Sequence, residues 1–351
     1  MRNLIDILDL STEEIDSLID TASDMISHPE KYSSAASGRI LGALFFEPST
    51  RTRLSFTSAM MSLGGNVLGF DNAGSSSVTK GETVSDTIRM VSAYSDIIAM
   101  RHPKEGAPIV AKESSSVPII NAGDGGHFHP TQTLTDLLTI KRKFGRLDNL
   151  VLGVCGDLKY GRTVHSLIAA MSRYENVSFV FISPAELKIP DYVKNDFLCG
   201  KEYREVTSLE DEIGALDILY MTRIQGERFE SKEEYEKLKD SYVLDAKKLE
   251  SAKPTLSVMH PLPRVNEIST DVDDDPRADY FTQAANGRYI RMALILMLLS
   301  EKDKAETRPQ GKENPSLACK NPHCITNAER GIKKLFAGTK CIYCDAEAKK
   351  I

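Results

Sequence analysis

The chain of 351 residues has no apolar run long enough to cross a bilayer; the longest, Met292 to Leu299, suits a buried helix face. Its start has no signal-peptide pattern, because Asp6 and Asp9 interrupt the first apolar residues, so a cytoplasmic location is expected. There is no excess of positive charge either. A formal net charge of −6 argues against a nucleic-acid-binding body and leaves room only for a local basic patch. Cysteine is scarce before the C-terminus: Cys155 sits in an apolar strand and Cys199 follows Phe197-Leu198, as structural or incidental thiols do. Internal repeats and low-complexity tracts are missing. What remains is 41% hydrophobic and 27% charged, the composition of a soluble globular protein of two or three domains.

What is present is an alternation of helix and strand over residues 1–300. Ser11 and Glu14 form a capping box before a helix with Ile15, Leu18, Ile19 and Ala22 as its buried stripe. Strands are expected at Ile40–Phe46, Asn66–Phe70, Ile97–Met100, Val117–Asn121, Leu150–Val154, Ser178–Ile182, Asp217–Tyr220 and Thr255–Met259. The pattern predicts an α/β protein with two parallel-sheet domains and ligands at the carboxyl ends of the strands. One domain takes 1–130 and 286–301, the other 131–285, with helices Thr131–Phe144 and Gly287–Ser300 carrying the chain across. Residues 302–316 read as a polar linker.

The last 33 residues hold the other four cysteines, as Cys319-x4-Cys324 and Cys341-x2-Cys344. Two tight turns of paired thiols can complete a tetrahedral zinc shell, and a short 317–351 segment needs such a staple to fold. Four thiols leave no water position, so the site is expected to be structural; no organic cofactor is implied.

Anion-binding chemistry gathers after the strands. Pro48-Ser49-Thr50-Arg51-Thr52-Arg53 follows a strand and opens a helix, where free N–H groups, hydroxyls and guanidinium groups crowd one turn. An ordinary helix cap with surface arginines would look alike in isolation. Arg101-His102-Pro103 closes another strand. Gly123 to Gln132 delivers His129 and Gln132 to a helix start; His127 and His129 lack a nearby third metal ligand. Gly156 to Thr163 misses the G-x-G-x-x-G spacing of a dinucleotide loop. Tyr220 to Gln225 and His260 to Arg264 also end strands.

Together Phe46–Arg53, Arg101-His102-Pro103, His129–Gln132, Gly156–His165, Arg223-Ile224-Gln225 and His260–Arg264 resemble the aspartate carbamoyltransferases, in order, across nearly all of residues 1–300. The four-cysteine tail resembles the zinc domain of that family's separate regulatory chain. The resemblance implies carbamoyl phosphate and L-aspartate as substrates, bound between two domains, in homotrimers whose sites are shared by neighbours. It places phosphate on Ser49, Thr50, Arg51 and Thr52, and the carbamoyl oxygen on Thr52, Arg101 and His129, with Gln132 near the amide. Aspartate carboxylates fall to Arg162, Arg223 and Gln225, and the amines to the carbonyls of Pro261 and Leu262. Lys80, from the adjacent subunit, matches a mobile-loop lysine, with Ser76 rather than Ser77 as its serine. Glu47 is expected to bridge the domains on closure, to Arg162 and Arg228.

These assignments suit the chemistry, since both substrates are polyanions and guanidinium groups bind such oxyanions bidentately without losing charge. No Ser or Cys nucleophile with a matched base is evident, so direct transfer is expected. The neighbouring alternative is an ornithine or other carbamoyltransferase. The ornithine family carries His-Cys-Leu-Pro where Pro261 stands here, and Arg223 would repel an ammonium group. Two other readings are a non-catalytic zinc-containing interaction protein and a nucleic-acid-binding zinc ribbon. The ribbon would use Lys312, Lys320, Arg330, Lys333, Lys334 and Lys340, but Phe336 and Tyr343 make a poor stacking platform. No room remains for a nucleotide-binding regulatory domain, and the fused tail is expected to pack on the body or on a neighbour.

Overall fold

The structure is a computed structural model that describes residues 2–72, 74, 77–224, 233, 242–300 and 311–351. Two compact units emerge, one of residues 1–131 with 288–351, the other of 132–287. The first contains a four-stranded parallel sheet ordered β2-β1-β3-β4, from β1 (Ile40–Phe45), β2 (Asn66–Phe70), β3 (Ile97–His102) and β4 (Ile119–Asp124). Helices α1 (Thr12–Ser27), α2 (Thr50–Ser62), α3 (Val84–Ser92) and α4 (Ala107–Ser114) belong to this unit. The capping box of α1 forms as the sequence suggests, Ser11 Oγ accepting from Glu14 N.

Helix α5 (Pro130–Phe144) carries the chain into the second unit. There the sheet is ordered β7-β6-β5-β8-β9, again parallel, from β5 (Val151–Cys155), β6 (Ser178–Ile182), β7 (Tyr203–Val206), β8 (Ile218–Met221) and β9 (Ser257–Met259). Helices α6 (Arg162–Met171) and α7 (Asp191–Phe197) lie among them. The helix Tyr280–Ser300 returns the chain and begins seven residues before the expected Gly287. Edge strand β7 escapes the apolar pattern because its residues are exposed or only half-buried.

The order of strands reverses between β1 and β3 in the first unit, and between β5 and β8 in the second. Such a reversal sends successive connections to opposite sides and opens a crevice at the carboxyl ends, where ligands bind. The Pro48–Arg53 and Arg101 motifs leave the two strands flanking the first crevice. Gly156–Arg162 and Arg223 leave the strands flanking the second.

The tail adds two small antiparallel sheets, β10-β12-β13 and β11-β14, from β10 (Lys312–Glu313), β11 (Leu317–Cys319), β12 (Leu335–Ala337), β13 (Lys340–Cys341) and β14 (Ala348–Lys350). Residues 312–313, expected in the linker, are therefore strand: Lys312 pairs with Phe336 and Glu313 with Leu335. A two-residue polar strand carries no apolar signal of its own. The tail does not stand apart from the body. Ile325, Phe336, Tyr343 and the four cysteines share one hydrophobic core with Ile109 and Val110 of α4 and Ile88 of α3. Tyr343 lies so near Gly106 that an added Cβ would come within 2.5 Å of it, and Gly106 has φ +83°. Glycine is required there on both counts.

Candidate active site and metal centre

The end of β1 sets the geometry of the first crevice. Phe45 pairs with Arg101, and Phe46 N donates to Arg101 O at 2.9 Å, so the ladder continues one residue past the strand. Glu47 consequently lies beside Arg101, Oε1 to Nε 2.7 Å. Expected to bridge to Arg162 and Arg228, Glu47 is here the partner of Arg101; Arg228 lies outside the described residues.

Ser49 is the N-cap of α2 but forms no side-chain capping bond, and the first turn contains no acidic residue. Thr50, Arg51 and Thr52 thus occupy a positively polarised helix start. Arg51 is exposed. Partial burial and the nearby Arg101 charge hold its guanidinium below its ordinary pKa. A guanidinium that feels both burial and the charge of Arg101, at a helix N-terminus, is a place where an oxyanion relieves repulsion.

His129 immediately precedes α5 and is only 5% exposed. Its loop is held by Asp124, a residue the sequence reading did not single out. Asp124 Oδ1 accepts from Asn121 Nδ2 at 2.9 Å and Phe128 N at 3.0 Å, while Oδ2 accepts from Gly106 N at 2.8 Å. His127 Nδ1 lies 3.1 Å from the same Oδ2. Burial opposes charge on His127, but Asp124 and then Asp345 outweigh it and push its pKa up to about 10. Arg291 also ties two elements of the site, its Nη1 donating to Ser55 Oγ of α2 at 3.0 Å and its Nη2 to Thr131 Oγ1 of α5 at 3.4 Å.

In the second unit Arg162 opens α6 and Arg223 follows β8, both half-buried. The ends of β5 and β8 are locked together by Thr222, whose Oγ1 donates to Cys155 O at 3.1 Å and accepts from Asp157 N at 2.9 Å. Gly156 has φ +117°, and an added Cβ would lie 2.4 Å from Thr222 O, so no larger residue fits. The turn at Pro261 and Leu262 is fixed by His260. Its Nδ1 accepts from Leu262 N at 2.7 Å, which leaves Nε2–H to donate to Glu267 Oε1 at 2.7 Å. Gln283 links this turn to Gln132: its Oε1 accepts from His260 N at 2.9 Å, and its Nε2 donates to Asp136 Oδ1 at 2.6 Å. Asp136 Oδ1 also accepts from Gln132 Nε2 at 2.8 Å. Asp136 escaped the sequence reading because it sits among Leu134, Leu137 and Leu138 on the buried side of α5.

Lys80 ends a short 3-10 turn, Ser77–Lys80, and is exposed. Ser76, Gln225 and Arg228 lie outside the described residues.

Two buried imidazoles give the body an acid limit. Burial pushes both His102 and His165 down to about 4 from an ordinary 6.5. A depressed folded value means that their contribution to stability is complete above pH 6.5 and is lost as pH falls through 4. His127 has the opposite sign, contributing fully below pH 6.5 and losing its contribution as pH rises through about 10. The thermal midpoint is therefore expected to fall on both sides of neutrality. His165→Gln, which keeps a donor for Leu158 O, should flatten the acid side; an unchanged acid slope in differential scanning calorimetry would count against the assignment.

The four tail sulfurs all lie within 4.8 Å of one another and their residues are buried. Sγ of Cys319 and Cys344 are 3.4 Å apart, and those of Cys324 and Cys341 3.8 Å. Zinc–sulfur bonds of about 2.3 Å in a tetrahedron separate sulfurs by about 3.8 Å, so the cage fits such an ion. Asn321 N donates to Cys319 Sγ at 3.4 Å, and Thr326 Oγ1 lies 3.2 Å from Cys324 Sγ, polar neighbours suited to a thiolate. Among the described residues no other group of three or more potential ligands gathers, and His323 stands outside this one.

Residues 2–142 match the aspartate/ornithine carbamoyltransferase carbamoyl-P binding domain, and residues 148–298 match the Asp/Orn binding domain of the same enzymes. The chain belongs to the aspartate/ornithine carbamoyltransferase family. It is 62% identical over 300 residues to the aspartate carbamoyltransferase catalytic subunit of Clostridium novyi, covering 85% of this chain and 98% of that one. The corresponding subunit of Lachnoclostridium phytofermentans is 61% identical over 302 residues, covering 86% and 98%. Among solved structures, the catalytic subunit of M. jannaschii aspartate transcarbamoylase superposes with a TM-score of 0.80 at 49% identity, covering 85% of this chain and 98% of that one. The Trypanosoma cruzi enzyme in complex with carbamoyl phosphate gives 0.81 at 38%, covering 85% and 96%. Residues 299–351 lie beyond both family matches.

Proposed function

We propose that the chain is an aspartate carbamoyltransferase, transferring the carbamoyl group of carbamoyl phosphate to the amine of L-aspartate in de novo pyrimidine biosynthesis. The observation that carries this reading is the cationic, carboxylate-free start of α2, with Arg51 in the field of Arg101, at the reversal of strand order. Ser49, Thr50, Arg51 and Thr52 hold the phosphate, joined by Lys80 and Ser76. Gln132 orients the carbamoyl amide, supported by its bond to Asp136.

The aspartate amine attacks the carbamoyl carbon and forms a C–N bond. The oxyanion that develops is stabilised by Thr52, Arg101 and His129, donors of a kind worth about 3–4 kcal/mol each. The C–O bond to phosphate then breaks, the leaving phosphate stays paired with Arg51, and one of its oxygens takes the proton lost by the amine, so that it departs as the hydrogenphosphate dianion. Positioning and electrostatics supply the acceleration, with no covalent enzyme intermediate. Arg162, Arg223 and Gln225 bind the aspartate carboxylates, and the carbonyls of Pro261 and Leu262 accept from its amine and the carbamoyl amine. Glu47 exchanges Arg101 for Arg162 and Arg228 on domain closure.

The active species is a cytoplasmic homotrimer in which Lys80 and Ser76 serve a neighbour's site. What supports an assembly is that several large apolar side chains of the first unit are exposed: Leu54 (59% exposed), Met61 (63%), Met90 (50%) and Tyr94 (56%). Zinc in the cysteine cage is structural, and neither an organic cofactor, a membrane nor a nucleic acid takes part. No helix among the described residues is long and apolar enough to cross a membrane.

The acceptor is tested with L-aspartate and L-ornithine side by side under saturating carbamoyl phosphate. Turnover with aspartate should exceed that with ornithine by at least about 10³-fold, since a site built on guanidinium groups leaves them unpaired against an ammonium. Preferred carbamoylation of ornithine overturns the reading.

A further inference from the structure

We infer that the C-terminal module is a positioning element for the carbamoyl-phosphate half of the active site. It grips the body at three points, each only a few residues from a side chain that contacts this substrate. The inference rests on the assignment of Lys80, Arg101 and His129 to carbamoyl phosphate.

The first grip is Glu329. Both of its carboxylate oxygens accept from Val84 N at 3.1 Å, at the start of α3 and four residues after Lys80. The second is Glu105, four residues after Arg101. Its N donates to His323 O at 3.0 Å and its O accepts from Ile325 N at 2.9 Å, so the backbones of tail and body pair like strands. Its side chain takes Asn321 Nδ2 of the tail on Oε2 at 2.5 Å and Gly126 N on Oε1 at 3.2 Å. One carboxylate thus joins the tail to both the Arg101 turn and the His129 loop. The third is Asp345, whose Oδ2 lies 3.0 Å from His127 Nε2, two residues before His129. The opposite nitrogen of His127 meets Asp124, the group that organises the same loop.

Three catalytic loops would otherwise end in turns with exposed polar groups. The tail instead supplies a partner to each of them. Loop geometry is where such support matters most, because a misplacement of about 1 Å in a reacting group can cost about 10²-fold in rate. A purely structural attachment would lower the folded, active fraction and with it the apparent kcat, leaving both KM values and the phosphate affinity unchanged. A positioning role separates the two KM values.

The test uses the full chain with Glu329→Ala and Asp345→Ala combined, and with Asp345→Asn alone. The double variant is expected to raise KM for carbamoyl phosphate and weaken the binding of inorganic phosphate by about tenfold, with KM for aspartate changing less than about twofold. Asp345→Asn keeps an acceptor for His127 Nε2–H and should stay near the parent. Metal content and far-UV circular dichroism report that the tail is folded. Unchanged phosphate affinity in a folded, metal-loaded double variant overturns the inference, as does a parallel shift of both KM values. Arg51→Ala measured alongside separates the two layers: normal phosphate binding there sinks the underlying site assignment, whereas its loss with an intact double variant sinks the positioning role alone.

Discussion

Arg51→Ala should lower kcat/KM for carbamoyl transfer by about 10³-fold, in the range found when one preorganised oxyanion donor is removed. The thermal midpoint should move by less than about 2 °C, because a surface substitution away from packing changes stability by at most about 0.5 kcal/mol. The reason for this contrast is visible in the fold. Arg51 is exposed at the first turn of α2, and its guanidinium is held below its ordinary pKa by partial burial and by the charge of Arg101. Removing it relieves a repulsion in the free protein and withdraws a cation from the bound phosphate. Arg51→Lys should recover little, since an ammonium cannot give the two parallel bonds of a guanidinium. Steady-state kinetics with both substrates, alongside calorimetric unfolding, checks both halves. Parent-like turnover in the alanine variant would remove the phosphate loop from the mechanism.

Stripping metal from the four-cysteine cage, or replacing Cys341 by serine, should have the largest effect on stability. The sequence alone suggests that chelation unfolds residues 317–351 and spares the rest. The packing leads to a broader expectation. Tail strands of two or three residues cannot support a core of their own, and structural zinc contributes about 10–16 kcal/mol to comparable small modules. Yet Phe336, Tyr343 and Ile325 are buried in the same cluster as Ile88, Ile109 and Val110. Loss of the cage therefore uncovers the apolar faces of α3 and α4 and leaves Val84 N without its carboxylate. In hydrogen exchange after chelation, residues 311–351 should lose protection entirely, with increased exchange in α3 and α4. Strands β5, β6 and β8 should remain protected. Unchanged exchange in α3 and α4 would show the tail to be an independent appendage.

Most of the sheet strands were legible as apolar runs, and the motifs that follow β1, β3, β5 and β8 fall at the two reversals of strand order. The four-cysteine cage was legible from spacing alone. What escaped was mostly non-local. Asp124 and Asn121 sit at the end of a strand and read as ordinary turn residues, and only the fold shows four groups converging on one carboxylate. Asp136 looks like a polar interruption of a helix until Gln132, Gln283 and Tyr220 are seen around it. The docking of the tail depends on pairs such as Glu105 with His323 and Val84 with Glu329, far apart in sequence and without periodicity. Glu47 was noticed as a residue of the motif, but its pairing with Arg101 follows from one hydrogen bond past the end of β1.

The discontinuity of the first unit has a consequence for biosynthesis. Residues 132–287 form a contiguous unit, complete in sequence before the tail leaves the ribosome. The first unit must instead wait for residues 311–351, since Ala348–Lys350 pairs with Leu317–Cys319 and Ile351 N donates to Ser316 O at 3.0 Å. Completion of the first unit is thereby delayed until the whole second unit has emerged, and a nascent chain stopped before residue 311 exposes its unfinished α3 and α4 surfaces.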